Sequence, residues 1–297
     1  MSLQTTIDLA RMRMNNAERP FYWTDQEMAF YANEIVNRIC REALVLGDST
    51  TRSVCEIPTV VNAMDYTLSS SIIYVRSAKI ITQEILTLDV APATAWATGD
   101  TITGATSLKT CTIVSKSSDY SYIIDSRNGE FTLGEVLSNG TYAADQGATY
   151  PQVDEYRSSM LEKLTQRDMN RYQSAWRAST AAKPYRYIVD YTSGQLTLFP
   201  KPDDIYIIKL SVFRYPLVGL TSTNMSAQTI EIDSRYEDIV INGICAQAFL
   251  KSGDNTYDPK KAGDFGILTN KAISAIKIRN MLYNANNEIA EPVGAFT

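Results

Sequence analysis

The chain contains no histidine. That excludes Ser-His-Asp and Cys-His nucleophile pairs and most zinc sites, all of which need an imidazole. Cysteine is scarce: Cys40, Cys55, Cys111 and Cys245 are scattered and show no Cys-x-x-Cys spacing, so they are expected as reduced core residues. No apolar run approaches the roughly 20 residues that span a bilayer. The first residues, MSLQTTIDLARMRMNN, lack the continuous apolar block of a signal peptide. A cytoplasm, or something assembled there, is the expected setting, with no membrane partner, and the sequons at Asn139 and Asn224 read as chance matches. A basic excess is missing too. The 28 Lys and Arg stand against 33 Asp and Glu, for a net charge of −5. Reading sequence from a phosphate backbone calls for a basic stripe, and the totals argue against it.

The acidic excess is unevenly spread. Glu84 to Gln152 carries eight acids and three bases, which accounts for the whole formal charge. The same stretch has few long aliphatic runs and many Thr, Ser, Gly and Asp residues. Turn signals recur at Thr98-Gly99-Asp100, Asn128-Gly129 and Asn139-Gly140, with short strands fitting between them at 85–90, 110–115, 120–125 and 135–137. Short strands with frequent turns predict a small all-β domain, a barrel or sandwich. The expected division is therefore residues 1–83 and 153–297 as one body, with 84–152 inserted into it.

The body centres on Pro184 to Pro216. Tyr185, Tyr187, Val189 and Tyr191 alternate with Arg186, Ile188 and Asp190, the period-two pattern of a strand. Ser193-Gly194 supplies a hairpin turn, Gln195–Phe199 the return strand, and Tyr206–Tyr215 a third strand, giving an antiparallel meander. Strands are also predicted over 51–58, 71–81 and 229–232. Residues 1–20 suggest an arm or short helix. Thr24-Asp25-Gln26-Glu27 is a capping box that opens a helix with Met28, Tyr31, Ile35, Ile39 and Ala43 on one face and Gly47 as its stop. Helical spacing recurs at Met160, Leu161 and Leu164, then at Met169, Tyr172 and Trp176. Ser234 to Glu237 reads as a second capping box, ahead of Ile241, Ile244, Cys245, Ala248 and Phe249, with Gly253 as stop. Asp258-Pro259 opens a last helix through Phe265, Thr269, Ala272, Ile276 and Leu282. The fold class expected is α+β: a helical bundle packed on an antiparallel β meander, with the inserted β domain.

Candidate chemistry is thin. Asp264-Phe265-Gly266 spells a kinase motif without the glycine-rich and catalytic loops a kinase needs. Asp254, Asn255 and Asp258 lack the spaced loop of an EF-hand. The carboxylate pairs Asp154/Glu155 and Glu231/Asp233 could serve glycoside hydrolysis but carry no local signature. Trp96, Tyr120, Tyr122 and Tyr142 could bind sugar or form the core of the β domain. No cofactor or metal is expected. The 18 tyrosines, with Tyr185 and Tyr187 foremost, suit either core or interface.

One arrangement stands out. A capped N-terminal helix is followed by strands and by a segment from Asp168 to Trp176. Then come Pro184-Tyr185, Gly194-Gln195-Leu196-Thr197-Leu198-Phe199-Pro200-Lys201-Pro202, a strand ending at Arg214-Tyr215-Pro216, Ile232 to Ile239, and the helix from Asp258. This order resembles the head-to-tail adaptor (connector, head-completion) proteins of tailed bacteriophages over about two thirds of the chain, the insert excluded. The insert, with Trp96 to Asp100 and Gly129 to Glu135, looks like small β modules of phage structural proteins. The resemblance implies a non-enzymatic virion protein at the head–tail interface. It implies a ring of about a dozen copies, a dodecamer, docked beneath the portal protein. The ring would extend the channel for double-stranded DNA and receive tail or neck proteins. It makes Glu291, Pro292, Val293 and Phe296 candidates for the portal contact, beside Tyr185 and Tyr187 as partner-contact residues. The alternative from another class is a carbohydrate-binding or glycan-hydrolysing virion protein acting through the insert; another neck or tail-tube protein is a third possibility.

Overall fold

The computed structural model describes residues 1–16, 21–252 and 256–289, with 281–289 described by backbone alone. In chain order the elements are the helices α1 (Leu3–Arg13) and α2 (Asp25–Ala43), strand β1 (Gly47–Asp48), a single turn α3 (Arg52–Cys55), and the strands β2 (Glu56–Pro58), β3 (Asp65–Thr67), β4 (Ile72–Thr87) and β5 (Thr101–Gly104). They continue as β6 (Thr110–Ser118), β7 (Ser121–Asp125), β8 (Val136–Ser138), β9 (Ala143–Asp145), β10 (Gln152–Met160) and β11 (Glu162–Lys163). Helix α4 (Gln166–Tyr172) and a 3-10 turn (Trp176–Ala178) lead into β12 (Arg186–Asp190), β13 (Gln195–Phe199) and β14 (Ile207–Arg214); a second 3-10 turn (Ser234–Tyr236) precedes α5 (Glu237–Ala248), and α6 (Pro259–Ile289) follows. The class is α+β. The chain divides into two compact units, Met1–Gly47 with the chain from Phe213 onward, and Asp48–Val212.

The first unit is helical. α5 packs against α1, α2 and α6. Its buried residues Ile239, Val240, Ile241, Gly243, Ile244, Cys245 and Ala248 cover most of its circumference, as a central helix requires. The capping box of α2 forms as the sequence predicts: Thr24 Oγ1 accepts from the Glu27 N–H at 3.2 Å, and Glu27 Oε2 accepts from the Thr24 N–H at 2.9 Å. The buried face of α2 is Met28, Ala29, Ala32, Ile35, Val36, Ile39, Cys40 and Ala43. Each large apolar side chain fully buried there contributes about 1.5–3 kcal/mol.

Three local expectations in this unit are corrected. α2 stops before Gly47, because Leu44 takes φ +50° and Asn280 Nδ2 donates to the Ala43 carbonyl at 2.7 Å, satisfying an end that would otherwise lack a partner. The predicted cap Ser234 sits inside a 3-10 turn, and Asp233 does the capping, its carboxylate accepting from the Arg235 N–H at 2.9 Å. The predicted strand 229–232 reduces to one bridge between Ser2 and Thr229. α6 begins as predicted, with Pro259 first and the Asp258 carboxylate accepting from the Lys261 N–H at 3.0 Å. Among the side chains described, over residues 259–280, the buried ones are Ala262, Thr269, Ile273 and Ile276.

The second unit is built on two sheets. The larger runs β14-β4-β7-β6-β5-β8-β9, with β10 on β4 and β2 on β14. The smaller runs β11-β12-β13-β3. The hairpin forms as expected, Tyr187 opposite Leu198 and Asp190 opposite Gln195, with Gly194 at φ +65° in the turn. The third strand does not complete a meander. The free edge of β13 is occupied by β3, with Tyr66 opposite Leu196, so β14 pairs instead in the larger sheet. Residues 152–164, predicted in part as helix, form β10 and β11. β10 runs antiparallel to β4 with Val153 opposite Leu86 and Met160 opposite Lys79, and this ladder overrides the local spacing. The predicted strand 51–58 splits into α3 and β2.

Separate cores follow this layout. Leu86, Trp96, Ile102, Ile113, Tyr122, Ile124, Phe131 and Leu137 belong to one cluster, all of whose members lie between residues 86 and 153. Tyr66, Val75, Tyr187, Leu196, Leu198, Leu210 and Val212 belong to a second. Met169, Trp176, Ile188 and Phe199 make a third, under α4. Residue 84, the expected edge of the insert, lies inside the continuous strand β4.

Candidate interaction surface

The hairpin β12–β13 is covered on both faces. Tyr187, Leu196 and Leu198 point into one core, and Ile188 and Phe199 into the core under α4. This separates the two tyrosines that the sequence puts forward together. Tyr187 is 1% exposed, and burial pushes its phenol up beyond the usual range, with Tyr191 and Tyr74 adding to the shift. Its side chain belongs to the core and offers no surface. Tyr185, just before β12, is 49% exposed, its ring 5.6 Å from Phe199 in an edge-on arrangement.

Around Tyr185 the structure assembles a cationic, aromatic face. The Arg186 guanidinium lies 5.1 Å from the Tyr185 ring centroid and 5.4 Å from that of Tyr172, and its Nε donates to Glu162 at 2.7 Å. Tyr172 is 72% exposed. Met169 and Trp176 anchor α4 and the turn after it, and Trp176 Nε1 donates to Asn170 Oδ1 at 2.9 Å. Arg167, Arg171 and Lys183 are exposed and Lys201 is half-buried. Among the described residues none of these four has an ion-pair partner, whereas Arg177 reaches Asp65 at 3.5 Å. From Lys163 to Lys201 the chain carries seven bases (Lys163, Arg167, Arg171, Arg177, Lys183, Arg186, Lys201) and two acids (Asp168, Asp190). Sequence reasoning missed this. Its signal was a plain charge count, hidden when everything outside 84–152 was summed to zero.

Nearby, Tyr74 and Tyr191 stack at 5.8 Å, and Lys163 Nζ sits 4.3 Å from the Tyr74 ring while donating to the Val75 carbonyl at 2.9 Å. That lysine is fixed in place rather than offered to a ligand. The helical unit has a cleft of its own, about 400 Å³, lined by Asn33, Asn37 and Arg41 at four-residue spacing on α2 and by Tyr215, Pro216 and Gly219.

Other sequence candidates fall elsewhere. Trp96 and Tyr122 are 2% and 0% exposed and pack on each other in the core of the β strands, so they form no sugar platform; Tyr120 and Tyr142 are exposed. Glu231 holds Arg214 at 2.7 Å, Glu155 binds Lys79 and Ser158, and Asp233 caps a turn, so these carboxylates are tied to structural partners. Phe265 of Asp264-Phe265-Gly266 stacks on Phe249 inside the helical unit. Asp254 and Asn255 lie outside the described residues, as do Glu291, Pro292, Val293 and Phe296. Among the described residues no disulfide joins the four buried cysteines, and burial pushes the Cys40 and Cys245 thiols up to about 12, far from a nucleophile's range. Among the described residues no group of three Cys, Asp or Glu is placed to hold a metal, and no helix is long and apolar enough to cross a membrane.

A protein-family model described as SU10 adaptor protein matches residues 109–289, about three fifths of the chain. The match takes in β6 to β14, α4, α5 and α6, and so the whole cationic face and residues 109–152 of the predicted insert. No curated protein sequence matches the chain.

Proposed function

The chain belongs to the SU10 adaptor protein family, and on that premise we propose that it is a structural, non-catalytic component of a phage neck, at the junction of head and tail. The observation that carries this is the family match through residues 109–289. In this reading copies of the chain form a ring, a dodecamer, seated on the portal protein. The ring continues the passage for double-stranded DNA and presents a surface to tail or neck proteins. Residues 84–152 act as a lobe inserted into the adaptor body, a view supported by the core they share, from Leu86 to Val153. Exposed apolar and aromatic side chains give the surfaces such assembly needs: Tyr172 and Tyr185 at the hairpin, and Ile267, Leu268 and Ile278 along α6. The portal contact is assigned to Glu291, Pro292, Val293 and Phe296.

Native mass spectrometry of the purified chain, alone and mixed with the portal of its phage, tests this. A ring that adds to the portal in fixed stoichiometry is expected, and deletion of residues 290–297 should abolish the addition. A chain that neither self-associates nor binds any head or tail component would overturn the proposal.

A further inference from the structure

Within the second unit, two stretches carry opposite charge. Residues 84–152 have a net charge of −5, and residues 163–201 have seven bases against two acids, a net charge of +5. They occupy different parts of the unit. The acidic stretch supplies the far strands of the larger sheet and its own core, and the basic stretch supplies α4 and the β12–β13 hairpin of the smaller sheet. Among the described residues no ion pair joins the two. Lys116 binds Asp119, Arg127 binds Glu84 and Glu56, Arg52 binds Glu130, and on the basic side Arg186 and Arg177 take Glu162 and Asp65. Among the described residues Arg167, Arg171, Lys183 and Lys201 hold no salt bridge on one side, and exposed Asp145, on the terminal strand β9, holds none on the other.

Opposite charges on one molecule that do not meet each other can be satisfied between molecules. Complementary potentials steer encounter, fix register and penalise wrong pairings by several kcal/mol. A surface that fits a different surface of an identical copy makes a head-to-tail contact, which closes into a ring when the rotation permits. We infer that the cationic, aromatic face around Arg171, Tyr172, Lys183 and Tyr185 docks on the acidic 84–152 lobe of the next copy of this chain, and that this contact orders the ring. The inference rests on the ring reading above. Tyr172 and Tyr185 supply the apolar centre of the contact and the free cations its rim, the composition of a protein interface. Double-stranded DNA fits less well, because its stacked bases leave exposed tyrosine rings nothing to cover.

The test uses two full-length variants. Arg171→Glu/Lys183→Glu lowers the basic stretch from +5 to +1, and Asp119→Lys/Asp145→Lys brings the acidic stretch from −5 to −1; all four residues are exposed. Analytical ultracentrifugation at tens of micromolar reads assembly at low and high salt, and circular dichroism checks folding. Each variant alone should need at least about tenfold more protein to assemble, the factor that goes with about 1.4 kcal/mol. An equimolar mixture should assemble at lower protein concentration than either variant alone, since alternate contacts then pair the unaltered +5 and −5 stretches and the rest set the introduced glutamates against the introduced lysines. Wild-type assembly should weaken as the screening length shortens from ~10 Å at 0.1 M salt to ~3 Å at 1 M. Assembly that ignores salt, or single variants that assemble normally, would overturn the inference and leave the ring reading standing. So would a mixture that assembles no better than either variant alone. An Arg171→Glu/Lys183→Glu ring that forms normally but no longer adds to the portal, or no longer shifts a DNA duplex, would reassign the face to that partner. A wild-type chain that stays single under all conditions would remove both readings.

Discussion

Gly243 of α5 faces Ile35 of α2 so closely that a β-carbon at position 243 would stand 2.6 Å from Ile35 Cδ1, 2.7 Å from Cγ1 and 2.8 Å from Cγ2. Both branches of one buried side chain are in the way, so no single rotation of Ile35 clears them. Gly243→Ala gains up to about 1 kcal/mol in helix propensity, but overpacking costs about 1–3 kcal/mol. The expected result is a net loss of about 1 kcal/mol in denaturant unfolding. Ile35→Val alone should cost about 0.5–1.5 kcal/mol. Combined with Gly243→Ala it should cost less than the sum, because the smaller side chain makes room for the new methyl. Strict additivity in that cycle would show that the two residues do not share space.

Tyr122 is fully buried among Trp96, Ile113 and Ile124, and among the described residues its hydroxyl has no hydrogen-bond partner. An unsatisfied buried hydroxyl costs about 1–3 kcal/mol. Tyr122→Phe keeps the ring and its contact with Trp96 at 5.1 Å between centroids, and removes the liability. The variant should be as stable as wild type or more stable, by up to a few kcal/mol in chemical denaturation. A loss above about 1 kcal/mol would mean the hydroxyl has a partner in solution, an internal water being the simplest.

Elements whose signals are local were legible in the sequence. The Thr24–Glu27 box, the Asp258-Pro259 start and the Gly194 hairpin each involve residues within a few positions of one another, and each forms. What could not be read depends on distant pairing. Met160, Leu161 and Leu164 have helical spacing, yet Met160 lies opposite Lys79 on a long antiparallel ladder. The 206–215 strand follows the hairpin in sequence, yet Asp65–Thr67 takes the place beside β13. Alternation predicts that Tyr187 lies on a strand, but only the cores on both sides decide that it is interior while Tyr185 is exposed. Of the candidate surface, the tyrosines were visible at once, and the cations around them needed a charge count over a window no wider than one supersecondary unit.

Glu135 is 3% exposed and accepts four hydrogen bonds, from the Thr106 and Ser107 N–H groups at 2.9 and 2.8 Å, the Ser107 hydroxyl at 2.8 Å and the Thr132 N–H at 2.7 Å. Burial raises its pKa, but these donors outweigh burial and hold the carboxyl below the usual range. A depressed folded-state pKa stabilises fully above the unfolded value of about 4.3, and that stability is lost as pH falls through the folded value. Wild-type stability should therefore drop below about pH 4.3 with a component from Glu135. Glu135→Gln, which turns part of the acceptor set into donors facing donors, should lose about 1.5–3 kcal/mol at neutral pH and flatten the acid limb. Gly104 belongs to the same device, since a β-carbon there would overlap the Glu135 carboxylate. An unchanged acid limb in the glutamine variant would reject this account.

Arg127, 2% exposed, joins β2, β4 and the turn after β7. Its Nε and Nη2 donate to Glu84 at 2.7 and 2.8 Å, Nη2 also reaches Glu56 at 3.1 Å, and Nη1 donates to the Gly129 carbonyl at 2.8 Å. Burial disfavours the charged guanidinium, but the two carboxylates outweigh it and hold the cation more firmly than in water. The cluster lies where the continuous strand β4 enters the 84–152 region, so it sets how that region is attached. Arg127→Met leaves Glu84, itself 5% exposed, without a counter-charge, at an expected loss of about 3–5 kcal/mol. Adding Glu84→Leu removes the stranded charge and should recover most of the loss, since an apolar replacement of a buried pair is often neutral or better. Denaturant unfolding of the single and double variants measures both. If the single variant lost under about 1 kcal/mol, or the double variant were worse, the attachment would rest on the β4–β10 ladder and the ion cluster would be incidental.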